Sequence, residues 1–265
     1  MTARTLLPFD PAVVSPWTVG EGRRGVLLLH GFAGTPPELR RLGEHLATHG
    51  YRCRGPVLAG HGSTPSALEA TTREDWIASA QGELDILADE CEEVMVAGQS
   101  MGGAIALHLA ATDLRVAAVA TLAAPVWLSA LSTQLVNVGR HLRRWHRSGD
   151  DIDLYEPAAI DELYSLGVRP MHAIHEFVRL IREVRDELAS IRAPVLVLHG
   201  GRDRTIDPRN ALEIERRLVC SSDVRRIAFP RSGHGMSVDV DRDVINAAIL
   251  GWFDAHFRSG VAAAV

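Results

Sequence analysis

The chain has only three cysteines in 265 residues, and Cys53, Cys91 and Cys220 are an odd, scattered set without metal-ligand spacing. That excludes a disulfide framework and a cysteine-based metal site, and it suits thiols kept reduced in a cytoplasm. Aromatic residues are scarce at 5%, and positive charge is in the minority, with 28 Lys and Arg against 33 Asp and Glu and a net charge of −5. Such a balance gives no electrostatic basis for nucleic acid or an anionic membrane as partner. No apolar run approaches the ~20 residues of a membrane-spanning helix. The first nineteen residues lack a basic segment followed by an apolar stretch and contain Pro8, Pro11 and Pro16, so neither signal peptide nor anchor is expected there. There is no internal repeat, and the one low-complexity segment is the small tail Val261 to Val265. What is plentiful is apolar residues, 46% of the chain, ample for the buried core of an enzyme-sized protein acting on small molecules.

Those apolar residues fall into a repeating order. Val26 to His30, Tyr51 to Val57, Glu93 to Ala97, Val116 to Leu122, Pro194 to His199 and Val224 to Phe229 are runs of strand length. Between them lie helical patterns. Thr35, Pro36 and Glu38 form a capping-box signature ahead of a Leu39, Leu42 and Leu46 stripe. A long helix from about Thr72 to Glu90 carries Trp76, Ala80, Leu84 and Leu87 on one face, and Asp241 to Phe257 reads as a terminal helix. Buried strands alternating with helices imply a mostly parallel sheet covered by helices on both faces, because parallel crossovers need helices to return the chain. From Pro125 to about Asp186 the pattern is helical without strands. The domain expectation is therefore an α/β core of residues 1–124 and 187–265, with residues 125–186 inserted as a helical cap at one end of the sheet.

The chemistry starts at Gly98-Gln99-Ser100-Met101-Gly102. A GxSxG pattern between a strand and a helix describes a sharp turn that lifts the serine hydroxyl above the sheet, with the flanking glycines leaving room. A serine nucleophile needs a base within hydrogen-bond reach and a carboxylate to hold that base in the right tautomer. Of the twelve histidines, His234 alone lies in a flexible loop between the last strand and the last helix. Two aspartates follow the Pro194 to His199 strand. Asp207 precedes Pro208 and a helix and reads as an N-cap, which leaves Asp203 as the acid. An oxyanion would be met by the backbone N–H of Met101 and, from the loop after the first strand, by that of Phe32, one such donor being worth about 2.7–4 kcal/mol.

His30-Gly31-Phe32, Gly60-His61-Gly62, Gly98 to Gly102, Asp203-x-x-Ile206-x-Pro208 and Ser232-Gly233-His234 together resemble the α/β-hydrolase superfamily, and within it the bacterial carboxylesterase and monoacylglycerol lipase group. The resemblance runs from about Gly25 to Phe257, with the serine, aspartate, histidine order that it requires. It implies an α/β-hydrolase fold with the insertion in the cap position, and a serine ester hydrolase acting through an acyl-enzyme on short- to medium-chain acyl esters. In Ser165-Leu166-Gly167-Val168 there is no carboxylate to recognise a glycerol headgroup, so monoacylglycerols are a narrower expectation than esters in general.

In the cap, Trp127 and Leu128 in one stretch and Ile174 and Phe177 in another are the candidates for an acyl-pocket wall. The basic run from Arg140 to Arg147 reads as a solvated face, and His61 as a shaper of the loop near the site. No cofactor or metal is required. Thioester hydrolysis, acyl transfer, perhydrolysis and carbon–carbon cleavage use the same machinery, and a ligand-binding protein on an inactive scaffold is the alternative of another class. A histidine base must be neutral to act, so activity is expected to fall as pH drops through roughly 6 to 7.

Overall fold

The computed structural model describes residues 10–147 and 153–257; the first residues and the Val261 to Val265 tail noted above lie outside them. In chain order the strands are β1 (Trp17–Val19), β2 (Arg24–Leu29), β3 (Tyr51–Gly55), β4 (Glu93–Gln99), β5 (Val116–Leu122), β6 (Trp145–Arg147), β7 (Val168–Pro170), β8 (Val195–Gly200) and β9 (Val224–Phe229). The α-helices are α1 (Arg40–Ala47), α2 (Pro65–Glu69), α3 (Arg73–Glu90), α4 (Met101–Thr112), α5 (Ala130–Leu142), α6 (Met171–Glu187), α7 (Arg209–Arg217) and α8 (Arg242–His256).

Seven strands form one sheet in the order β1-β3-β2-β4-β5-β8-β9, parallel except for the short edge strand β1. Both faces are covered, as the continuous apolar strands require. Leu27 and Leu29 point to one face and join a cluster with Trp76, Leu84 and Leu87 of α3, the small-residue helix α4, and Ile214 of α7. Val26 and Leu28 point to the other and pack with Leu42 and Leu46 of α1 and with Ile245, Ile249 and Phe253 of α8. The chain crosses from one side of the sheet to the other between β2 and β4, so the turns after these two adjacent strands open a crevice at the carboxyl edge.

Two sequence expectations need correction. The stretch between β5 and β8 is not free of strands, because β6 and β7 pair antiparallel through Trp145↔Pro170 and Arg147↔Val168. Three-residue strands holding Arg, His and Pro give no alternating apolar signal. The capping box at Thr35 is absent too. Pro36–Leu39 is a 3-10 turn with no side-chain cap, the Thr35 hydroxyl donates to the Tyr164 carbonyl at 3.0 Å, and the Glu38 carboxylate turns inward to accept from the Gly31 N–H. The box that does form joins Thr72 and Asp75 at the start of α3.

Candidate active site

Because β2, β4, β8 and β9 are parallel neighbours or near neighbours, the loops leaving them emerge on one edge. Ser100 sits between β4 and α4 with φ 54 and ψ −115, a backbone conformation costing about 1–3 kcal/mol in a residue other than glycine. Its own N–H is anchored on the Leu122 carbonyl of β5 at 2.8 Å. The glycines are steric necessities: a Cβ at Gly102 would lie 1.9 Å from the Leu29 carbonyl oxygen, and one at Gly98 would lie 2.2 Å from the Gly102 backbone.

Ser100, His234 and Asp203 come together although they lie far apart in the chain. The Asp203 carboxylate accepts from His234 Nδ1 at 2.9 Å, which leaves Nε2 of the same ring as acceptor for the Ser100 hydroxyl at 3.0 Å. Asp203 has no exposed side-chain surface, whereas His234 keeps 18% of its own. Burial pushes the Asp203 carboxyl up, but hydrogen bonds from His199 and His234 and from the Ile206 N–H outweigh it and hold the group well below the usual carboxylate range. Its other oxygen accepts from the Thr205 and Ile206 N–H groups at 2.9 and 2.8 Å. The N-cap of α7 is Pro208, without a side-chain cap, and not Asp207 as expected; the Asp207 carboxylate binds the exposed Arg209 guanidinium and accepts from the Arg209 N–H at 2.9 Å.

The two residues expected to supply oxyanion donors lie in the turns that follow β2 and β4. Met101 opens α4, where the first N–H groups have no partner inside the helix. Phe32 is the second residue of the Gly31 to Gly34 turn, closed by a 3.0 Å bond from the Gly34 N–H to the Gly31 carbonyl that does not use the Phe32 N–H. The turn is braced from beneath by Glu38, whose carboxyl is pushed up to about 7 by burial, against the lowering effect of the Gly31 N–H. A carboxyl raised from 4.5 to about 7 stabilises the fold fully below pH 4.5, and that contribution is lost as pH rises through 7. The stability difference between wild type and Glu38→Gln should therefore shift against the wild type by on the order of 3 kcal/mol between pH 5 and 8. Urea midpoints across this pH range for the two proteins check it; equal slopes would exclude Glu38 as the source.

Several residues of the site are not evident in the sequence. His199, the last residue but one of β8, places Nε2 3.0 Å from the same Asp203 oxygen that His234 uses. Gln99 reaches from the elbow to the His234 loop, donating to the His234 carbonyl and accepting from the Ser237 N–H at 3.4 Å. The signal was within the GxSxG pattern itself, in a position the pattern leaves open. His61 is buried against Phe32, with ring centroids 6.2 Å apart, and burial lowers its pKa to about 4, so it is a neutral wall.

All four expected pocket residues are half-buried. Phe177 stacks on Phe32 with centroids 5.1 Å apart and an interplanar angle of 14°, and Ile174 is half-buried one turn earlier on α6. Trp127 lies under the Arg209 guanidinium and lines a shallow cavity of about 250 Å³ with Arg185, Leu212 and Glu213, to which no triad residue contributes. Leu128 beside it is half-buried. A larger open cavity, about 420 Å³, lies among Arg140, His141, Arg143, Arg144 and His172, also without a triad residue. Among the described residues one group could offer metal ligands, His108 with Glu183 and Glu187, but His108 binds Glu187 at 2.8 Å and Glu183 binds Arg73 at 2.7 Å.

A parallel sheet clothed in helices, with a serine elbow between strand and helix and a histidine and aspartate on later loops, defines an α/β-hydrolase. The chain belongs to the family described as serine aminopeptidase, S33, whose model matches residues 20–241. It is 30% identical over 241 residues to the thermostable monoacylglycerol lipase of Bacillus sp. strain H-257, covering 91% of this chain and 94% of that protein. To the carboxylesterase of Bacillus subtilis strain 168 it is 28% identical over 233 residues, 87% of this chain and 92% of the relative. Among solved structures, one reported for the metagenome-derived lipolytic enzymes LipS and LipT superposes with a TM-score of 0.86 at 25% identity, over 92% of this chain and 98% of that one. No helix among the described residues is long and apolar enough to cross a membrane.

Proposed function

We propose that the protein is a serine carboxylic-ester hydrolase working through an acyl-enzyme, with Ser100 as nucleophile, His234 as base and Asp203 as the acid that orients it. The observation that carries this reading is the continuous chain of contacts from Ser100 Oγ through the His234 ring to Asp203, at 3.0 and 2.9 Å. Ser100 Oγ attacks the ester carbonyl carbon while His234 Nε2 takes its proton. The tetrahedral oxyanion receives the Phe32 and Met101 N–H groups, and each such donor is worth about 2.7–4 kcal/mol. Collapse breaks the bond to the alcohol, which leaves with the proton from His234. Water then attacks the acyl-enzyme with the same imidazole as base, releasing the acid and restoring Ser100. The names of the two Bacillus relatives support esters as the substrate class, and monoacylglycerols as members of it. Cytoplasmic residence belongs to the same reading, supported by the free state of Cys53, Cys91 and Cys220.

Initial rates on p-nitrophenyl esters of increasing acyl length, with monoacylglycerols alongside, test the assignment. Turnover greatest on short or medium chains is expected; tight binding of esters without hydrolysis would refute it. Since the Phe177 ring is stacked on Phe32, the residue proposed as an oxyanion donor, Phe177→Ala should open the acyl side. We expect kcat/KM for decanoate relative to acetate to rise by about four- to fifteenfold, the gain from burying one or two more methylenes at about 0.8 kcal/mol each. An unchanged profile would take Phe177 out of the pocket wall.

A further inference from the structure

The cap segment Asp153 to Tyr155 lies directly on the two loops that carry Asp203 and His234. The Asp153 carboxylate accepts from the Arg204 N–H at 2.6 Å, from the Thr205 N–H at 3.1 Å and from the Thr205 hydroxyl at 3.3 Å. Its backbone carbonyl accepts from the His234 N–H at 3.1 Å and from the Gly235 N–H at 3.3 Å. One cap residue therefore grips the two residues that follow the acid and the backbone of the base itself. Thr205 is shared, since its N–H also lies 2.9 Å from Asp203 Oδ1.

The contact is close and doubly made. A Cβ on Gly233, the residue before His234, would lie 2.7 Å from both the carbonyl and the carboxylate of Asp153. Two residues along, the Tyr155 N–H donates to the fully buried Asp239 at 2.8 Å, and the other oxygen of Asp239 takes the Gly233 N–H at 2.7 Å. A buried carboxylate is tolerated where donors satisfy it, and here the donors belong to the loops that must be held. Asp203 and His234 lie beyond the ends of β8 and β9, where the sheet ladder no longer fixes the backbone. Displacement of a catalytic group by about 1 Å costs on the order of a hundredfold in rate.

We infer that Asp153 is a positioning residue, through which the cap holds the acid and the base in register with Ser100. The inference rests on the triad reading given above and adds to it a residue that touches neither substrate nor reacting atom. In this arrangement the cap is part of the catalytic geometry as well as a cover for the acyl chain.

The test compares wild type, Asp153→Ala, Asp153→Asn and Ser100→Ala on one p-nitrophenyl ester, with the rate of Ser100 labelling by a fluorophosphonate measured in parallel. Asp153→Ala should lower kcat by about 10- to 100-fold and slow labelling to the same degree, with KM changed less than about threefold. Asp153→Asn keeps an acceptor oxygen for the Arg204 and Thr205 N–H groups and should return to within about fivefold of wild type. A kcat for Asp153→Ala within about twofold of wild type overturns the inference, as does a loss confined to KM or an asparagine variant as impaired as the alanine. Should the alanine variant fail to fold, Asp153→Ser, whose hydroxyl is too short to reach both N–H groups, gives the same readout. Failure of the underlying reading looks different: wild type would take no label, or Ser100→Ala would keep its turnover.

Discussion

Replacing Ser100 with alanine is expected to lower ester turnover by about a millionfold, to the residual rate left when a serine hydrolase loses its nucleophile. The fold should survive, because alanine keeps the same backbone cost at φ 54 and the elbow's steric demands fall on Gly98 and Gly102. Ser100→Gly separates the two consequences. It should be equally inactive, yet raise the thermal midpoint by about 2–4 °C, since glycine relieves the left-handed backbone at a gain of about 1 kcal/mol. Turnover by either variant at more than a thousandth of the wild-type rate would remove Ser100 from the nucleophile's place.

Asp203→Asn should cost about ten thousandfold in kcat at neutral pH. The surroundings of Asp203 dictate how the amide must sit. One carboxylate oxygen receives the Thr205 and Ile206 backbone N–H groups, which can only donate, so the amide oxygen must take that side. The amide nitrogen then faces His234 Nδ1 and His199 Nε2. His234 is driven to the tautomer that accepts at Nδ1 and carries its proton at Nε2, where it can no longer take one from Ser100. Asp207→Asn is the control and should change kcat less than about twofold, because its partner is the exposed Arg209. A loss below tenfold for Asp203→Asn would assign the acid elsewhere. Because the Asp203 carboxyl is held below its ordinary 3.8, the stability it contributes is present above that value and is lost only as pH falls beneath it.

The parts of this site that are legible in the sequence are those whose demands are local. Gly98 and Gly102 are required by the turn itself, the strands show as apolar runs because both faces are buried, and Asp203 separates from Asp207 by its distance from Pro208. Residues that act across the fold carry no such mark. Glu38 stands at the third position of what reads as a capping box, yet its carboxylate faces the Gly31 N–H, and only the packing of Pro36 to Leu39 against the core shows this. Asp153 meets partners 51 and 52 residues away through backbone donors, which no side-chain pattern encodes. Trp127 reads as a pocket candidate from its apolar cap stretch, and the backbone N–H bond to the Asn210 side chain at 2.9 Å and the Arg209 guanidinium over its ring are contacts that this stretch does not announce.

Strand order also divides the site by footing. β4 lies between β2 and β5, with its elbow tied to Leu122, so Ser100 can lose its place only when the sheet itself comes apart. His234 follows β9, the outermost strand, and segments at an edge open at lower free energy than a central strand does. On warming, the base is therefore expected to lose its place before the nucleophile does. Activity measured against temperature is expected to be lost below the midpoint read from far-ultraviolet circular dichroism, so that the rim of the sheet sets the working limit.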